Sequence, residues 1–340
     1  AVHQLKDLPN KPAELKNTKS ILSLHNLPFM GTGSEEALKK YQISPSTNSD
    51  LPAWGRELPL PMGLAAADRI IAVSPTYARE ILTPEYGCDL QDFLKTRETN
   101  LMGILNGIDT HAWDPFTDPE IRPNFDQGTI ENKKLNTAAL RKEFYLPAKN
   151  NQPLLVLISR LDQQKGVDIL IEALRLIKKH PWQAILLGTG NKLLEQACLD
   201  LQTALPDKVR AAIAFDSRLS RRMYAGADIL FMPSRYEPCG LSQMIAMRYG
   251  CLPVARATGG LVDSITDSAD LSTATGFLFA EANPSACSTA ILRALQLYRS
   301  RDKWHNMQLN AMKQDFSWRN SAIQYFSVYH ALSPSIERSV

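Results

Sequence analysis

Two cations, Arg160 and Lys165, stand close together in the stretch SRLDQQKG (159–166). A guanidinium fork and an ammonium beside the start of a helix offer an anion two kinds of charged donor as well as free backbone N–H groups. That combination suits an anion of diphosphate size. By spacing alone the same two residues also read as a solvated surface. In SRYEPCGLSQ (234–243), Pro233 and Pro238 fix a loop that holds Glu237 and is followed by the amides of Cys239, Gly240 and Leu241. A carboxylate accepts from sugar hydroxyls while neighbouring amides donate to others, so the loop fits a polyhydroxyl ligand. It reads equally as a helix-capping turn, with Cys239 as a small buried hydrophobe. A third stretch, RATGGLVDS (256–264), places Thr258 before Gly259, Gly260 and Leu261. Paired glycines let backbone approach an anion closely, or simply make a turn. His25 in LHNLPF and Asn106 in NGID are lone polar residues that serve as core or turn side chains as readily as ligands.

Other chemistries find no support. GTGNK (188–192) begins like a dinucleotide loop, but Leu193 stands where the third glycine belongs. The sequence has no H-E-x-x-H, no G-x-S-x-G, no Walker A motif and no Asp-x-Asp pair of the kind that holds a metal against a sugar nucleotide. Protein cations are then the natural partners for a diphosphate, and no metal cofactor is expected.

The elements that must position these residues are clearest after residue 153. Apolar runs at LLVLISR (154–160), AILLG (184–188), AAIAF (211–215), DILFMP (228–233) and LPVAR (252–256) alternate with helical patterns at 167–179, 191–203, 219–225 and 241–249. Leu170, Ala173, Leu174 and Ile177 form one helical stripe. Strands apolar on both faces, each followed by a helix, mean a parallel sheet covered on both sides. Ligands of such sheets bind outside the carboxyl ends of the strands, where all three loops fall. Upstream, KSILSLH (19–25) and RIIAVS (69–74) read as two buried strands, and Ser74-Pro75 opens a helix through about Leu82. The Pro- and Ser-rich stretch 43–63 reads mostly as loop, and 106–152 as a connector.

Composition narrows the class. The 340 residues suggest two domains, and 44% apolar content fills two cores. A formal net charge of +3 gives no footprint for nucleic acid or a membrane surface. Five scattered cysteines, at 88, 198, 239, 251 and 287, form no C-x-x-C pair and point to a reducing compartment. The N-terminus has no signal-peptide core, and the longest apolar run is far short of a bilayer span. Nothing in the sequence speaks to oligomeric state.

The motifs LHNLPFMG (24–31), ADRIIAVSPTYAREILTPEYG (67–87), GILNGIDTHAWDP (103–115), SRLDQQKG (159–166), AGADILFMPSRYEPCGLSQMIAMRYG (225–250), TGGLVDS (258–264) and DFSW (315–318) run in order over nearly the whole chain. Together they resemble the bacterial glycogen synthase and plant starch synthase family. The resemblance implies a GT-B fold, α/β, with two Rossmann-like parallel-sheet domains facing a cleft. It implies retaining transfer of glucose from ADP-glucose to the non-reducing end of an α-1,4-glucan in the cytoplasm, or in the plastid stroma for a plant protein. By the same resemblance Arg160 and Lys165 match the cations at the diphosphate and Glu237 the carboxylate that orients the donor glucose. Cys239, Gly240 and Leu241 match loop amides near its hydroxyls, and Thr258, Gly259, Gly260 and Leu261 the turn whose amides aid at the diphosphate. His25 and Asn106 match residues near the glucose 6-hydroxyl. The expected domains are 1–105, the remaining part of an acceptor-side domain; 106–314, the donor domain with its connector; and 315–340, a helix returning to the first.

The family's Lys-x-Gly-Gly-Leu loop has no counterpart here, so the first domain is expected to be incomplete at its N-terminus. Met30 replaces a usual Gln, LPLPMG (58–63) replaces a Lys-containing segment, and Ile245 stands where E-x7-E transferases carry a second Glu. These departures leave open an inactive glucan-binding or regulatory protein, or a related transferase using UDP-glucose.

Overall fold

Nine strands, all paired in parallel, form two separate sheets in the computed structural model, which describes residues 1–7, 11–149 and 151–333. The chain divides into a first unit, Ala1–Asn106 with Arg319–Val340, and a second, Gly107–Trp318. Residues 334–340, the end of the expected C-terminal segment, lie outside the described residues.

The first unit holds β1 (Ile21–Leu24), β2 (Arg69–Ala72) and β3 (Leu101–Gly103), in that order across the sheet. The sequence suggested only the first two; β3 is too short to show a pattern. Ser74 caps the helix Pro75–Glu80 by accepting the Tyr77 N–H, with Pro75 pre-set for the first turn. The stretch 43–63 is not mostly loop. Helix Pro59–Ala66 begins within it, buried from Pro61 to Ala66. Its two prolines fall in the first turn, where a missing N–H costs no helical bond. Val328, on the helix Trp318–Leu332, packs with Ile71 and Ile104 in this unit's core.

The second unit contains β4 (Leu154–Ile158), β5 (Gln183–Gly188), β6 (Val209–Ile213), β7 (Ile229–Met232), β8 (Leu252–Arg256) and β9 (Phe277–Phe279). Every residue of β5, β7 and β8 is buried, as a sheet with helices on both faces demands. Fully burying each such Leu, Ile or Val stabilises the fold by about 1.5–3 kcal/mol before entropy is counted. The spatial order β6-β5-β4-β7-β8-β9 is doubly wound, and its direction reverses between β4 and β7. A reversal leaves a crevice at the carboxyl ends, because the two following loops depart to opposite faces. β6 lies two residues earlier than the apolar run AAIAF suggested.

The stretch 106–152 is more than a connector. It contains the helix Lys133–Glu143, whose Lys133 is buried and donates to the carbonyls of Tyr224 (2.8 Å), Ala225 (2.8 Å) and Tyr249 (3.0 Å). All five cysteines are free thiols. No helix among the described residues is long and apolar enough to cross a membrane.

Candidate active site

The loops leaving β4 and β7 meet at the reversal of strand order. The Arg235 N–H donates to the Gln164 carbonyl at 2.8 Å, and the Gln164 amide donates to the Tyr236 carbonyl at 3.4 Å. Gly166 has φ +64°, and a Cβ there would run into the Pro233 carbonyl. Only glycine lets the two loops lie this close.

That approach delivers Lys165 to Glu237. The ammonium donates to both carboxylate oxygens, at 2.9 Å and 2.6 Å, and the Ser234 hydroxyl donates to Glu237 Oε2 at 2.9 Å. The two side chains are 19% and 6% exposed, so little water screens the pair. An ammonium has three N–H donors, and two are used here, which leaves one for a ligand.

Arg160 lies in the same loop. Its guanidinium sits 2.8 Å from Asp162 Oδ2 and donates to Gln164 Oε1 at 3.2 Å, and its side chain is 60% exposed. The other oxygen of Asp162 accepts the Lys165 backbone N–H at 3.0 Å. One carboxylate thus shapes the loop that carries both cations. The sequence paired Arg160 with Lys165; the structure pairs Lys165 with Glu237 and Arg160 with Asp162.

Beyond Glu237 the loop enters helix Ser242–Arg248, where Gln243 is completely buried. Its side-chain N–H₂ donates to the Cys239 and Gly240 carbonyls, both at 3.1 Å, and to the Ser264 hydroxyl at 3.0 Å. In a trans peptide the C=O and the following N–H point opposite ways. With both carbonyls held inward by Gln243, the N–H groups of Gly240 and Leu241 turn outward, and no hydrogen bond of the described residues takes them up. Leu241 is exposed beside them. These two amides are available to an oxygen-rich ligand.

The turn after β8 backs this loop. Gly259 has φ +46°, and a Cβ would run into the Glu237 carbonyl. The same carbonyl accepts the Gly260 N–H at 3.1 Å, and Leu261 donates to the Thr258 carbonyl at 3.1 Å. Thr258 is buried. The Gly260 and Leu261 amides, expected to open toward an anion, are engaged inside the protein.

His25 and Asn106 belong to the first unit. His25 is exposed just past β1, so it is not a core side chain. The buried Tyr77 hydroxyl accepts the Leu27 N–H at 2.9 Å and anchors that loop. Asn106 is half-buried and follows Leu105, whose carbonyl accepts the Ser321 hydroxyl at 2.6 Å.

The GTGNK turn is closed on itself. Glu195 accepts the Gly190 N–H (3.0 Å) and the Thr189 hydroxyl (2.7 Å) and pairs with Lys192 at 2.7 Å. Those bonds, the Lys192 one foremost, hold its carboxyl down at about 2. At the end of the neighbouring strand, Phe215 is 91% exposed. Among the described residues no three His, Cys, Asp or Glu side chains cluster as metal ligands do.

Sequence reasoning missed Asp162, Ser234 and Gln243. A signal existed for Gln243, since an amide in the first turn of a helix can reach back to the preceding loop. Nothing in the spacing marks the other two.

Two family models match the chain: the starch synthase catalytic domain over residues 1–96 and glycosyl transferases group 1 over residues 141–311. The glycogen synthase of Aromatoleum aromaticum is 45% identical over 319 residues, covering 92% of this chain and 65% of that protein. That of Anaeromyxobacter dehalogenans is 41% identical over 328 residues, covering 94% and 68%. The chain spans about two thirds of the length of these relatives. The catalytic domain of starch synthase IV from Arabidopsis thaliana, solved with ADP and acarbose, superposes with a TM-score of 0.87 at 34% identity, covering 97% of this chain and 70% of that one. A sucrose-phosphate synthase from Thermosynechococcus elongatus shares the fold, with a TM-score of 0.58 at 21% identity over 93% of this chain and 68% of that one.

Proposed function

The chain belongs to the glycogen synthase and starch synthase family of GT-B glucosyltransferases, and from that premise we propose that its second unit binds ADP-glucose for retaining transfer of glucose to the non-reducing end of an α-1,4-glucan. The observation that carries the reading is the buried Lys165–Glu237 pair at the strand reversal, beside the outward amides of Gly240 and Leu241.

In this reading the remaining Lys165 donor and the exposed Arg160 guanidinium take the diphosphate. Glu237 and the two amides take the glucose hydroxyls, and the close-packed 258–261 turn backs the loop that carries them. The bond from C1 to the phosphate oxygen breaks, and its electron pair stays on that oxygen. The acceptor 4-hydroxyl bonds to C1 on the same face, and its proton passes to the departing phosphate. Negative charge grows on the leaving group, so fixed cations stabilise the transition state more than the ground state. A reaction on one face calls for no second carboxylate as nucleophile, unlike retaining hydrolases. No metal is called for, and residence in the cytoplasm accompanies this reading.

Calorimetry on the chain with ADP and with UDP tests it. ADP should bind, more tightly than UDP, and Lys165→Ala should abolish the binding. A chain indifferent to ADP, or one that prefers UDP, overturns the donor assignment.

A further inference from the structure

The loops that carry Lys165 and Glu237 are joined a second time, by Arg235, to which the resemblance gives no role. Arg235 donates its backbone N–H to the Gln164 carbonyl at 2.8 Å and one guanidinium nitrogen to the Gln163 carbonyl at 2.8 Å. Its two terminal nitrogens also donate to the two oxygens of Asp168, at 2.8 Å and 2.7 Å. Asp168 lies in the first turn of helix Val167–Leu176, just past Lys165, and Arg235 comes just before Glu237. From the far side Arg256, at the end of β8, donates to the Arg235 carbonyl and, at 3.1 Å, to that of Ala280.

The geometry separates this pair from an ordinary surface ion pair. Arg235 and Asp168 are 39% and 44% exposed, where an ion pair adds little to folding. The contact is nevertheless a two-pronged fork, which fixes direction as well as distance. Lys165 meets Glu237 through a compact charge on a flexible stem, which sets distance but constrains direction less than a planar fork does. The fork supplies what the inner pair lacks. The guanidinium also holds the Asp168 carboxyl below its usual range.

We propose that Arg235 and Asp168 form a positioning clamp that sets the placement of the Lys165 ammonium against Glu237, and through Lys165 the affinity of the site for a nucleotide diphosphate. This deepens the reading of Lys165 as a diphosphate ligand and rests on it. Arg235 is a positioning residue and acts only by way of Lys165.

A double-mutant cycle on the 340-residue chain tests this, with ADP as the calorimetric probe and thermal melting as the control. Arg235→Gln and Asp168→Asn should each weaken ADP binding about tenfold while the melting temperature stays within a few degrees of wild type. Arg235→Lys, which keeps the charge and loses the fork, should not restore affinity. In a Lys165→Arg background, which should retain weakened ADP binding, Arg235→Gln should change affinity less than twofold. Equal weakening in both backgrounds, unchanged affinity, or unfolding of all three clamp variants would each overturn the clamp. If Lys165→Ala itself leaves ADP binding intact, the reading of Lys165 fails instead.

Discussion

The Lys165 ammonium touches both oxygens of the Glu237 carboxylate, although 72 positions separate the two residues in sequence. Each is the other's main counter-charge in a setting with little water. Removing one leaves the other buried without its partner, and the site loses either its phosphate donor or its hydroxyl acceptor.

Lys165→Ala and Glu237→Ala should therefore each lower glucose transfer from ADP-glucose by about 10²–10³-fold, the scale seen when one preorganised electrostatic contact is removed. The far-UV circular dichroism should stay native-like, because neither side chain belongs to the apolar core. Transfer within threefold of wild type in both variants would refute the assignment.

Gln243 acts one step behind the ligand. Gln243→Leu removes the donors that hold the Cys239 and Gly240 carbonyls inward, so the peptide planes are free to rotate and the outward amides lose their aim. Stability should fall by about 1–3 kcal/mol, the cost of buried acceptors left unpaired. Binding of ADP-glucose should weaken about tenfold, in line with lost preorganisation. Gln243→Glu keeps the shape and loses the donors, and should behave the same way. Unchanged ADP-glucose affinity in both variants would show that these amides do not bind the donor.

The parts of this site legible in the sequence were those tied to strand periodicity. Runs such as LLVLI and DILFM announced β4 and β7, and the loops that follow them were placed correctly at carboxyl ends. The strand order, and hence which two loops become neighbours, depends on how the crossovers wind. For that reason Lys165 was matched with nearby Arg160 and not with distant Glu237. Short elements escaped for a different reason. The three residues of β3 carry no period, and the prolines of Pro59–Ala66 look like loop until they are counted as a first turn. Lys133 carries no mark in the sequence, because its three acceptors are main-chain carbonyls that no side-chain pattern reveals.

Among the described residues Phe215 is the most exposed aromatic ring, and it lies just past the carboxyl end of β6, on the same side of the parallel sheet as the loops after β4 and β7. Stacking a base on an aromatic face contributes about 1–3 kcal/mol. Phe215→Ala should weaken ADP binding by roughly that amount and leave pyrophosphate binding unchanged. Asp216 still caps the following helix through the Leu219 N–H, so the fold should hold. Equal losses for ADP and pyrophosphate, or no loss for either, would remove Phe215 from the base subsite.

Lys133 offers a test of stability instead of binding. Burial pushes its pKa down to about 8 from the ordinary lysine value of 10.5. Below pH 8 the lysine is protonated in folded and unfolded chains alike, and the fold bears the cost of the buried charge. Between about 8 and 10.5 the unfolded chain binds more protons than the folded one, so this residue's contribution to stability rises with pH across that window. Lys133→Met removes the titration but orphans the carbonyls of Tyr224, Ala225 and Tyr249, at about 1–3 kcal/mol for each buried acceptor left unpaired. Urea unfolding should find the variant less stable at about pH 7.5, and the gap to wild type should widen by about pH 9.5. Buried Tyr224 and Cys251, whose pKa values burial raises to about 12, stay protonated in the fold near pH 9.5, and losing the Lys133 charge only raises Cys251 further. A gap that is flat or narrows with pH would mean that Lys133 holds its proton in the fold as firmly as in water, and that the three carbonyls fully offset its burial.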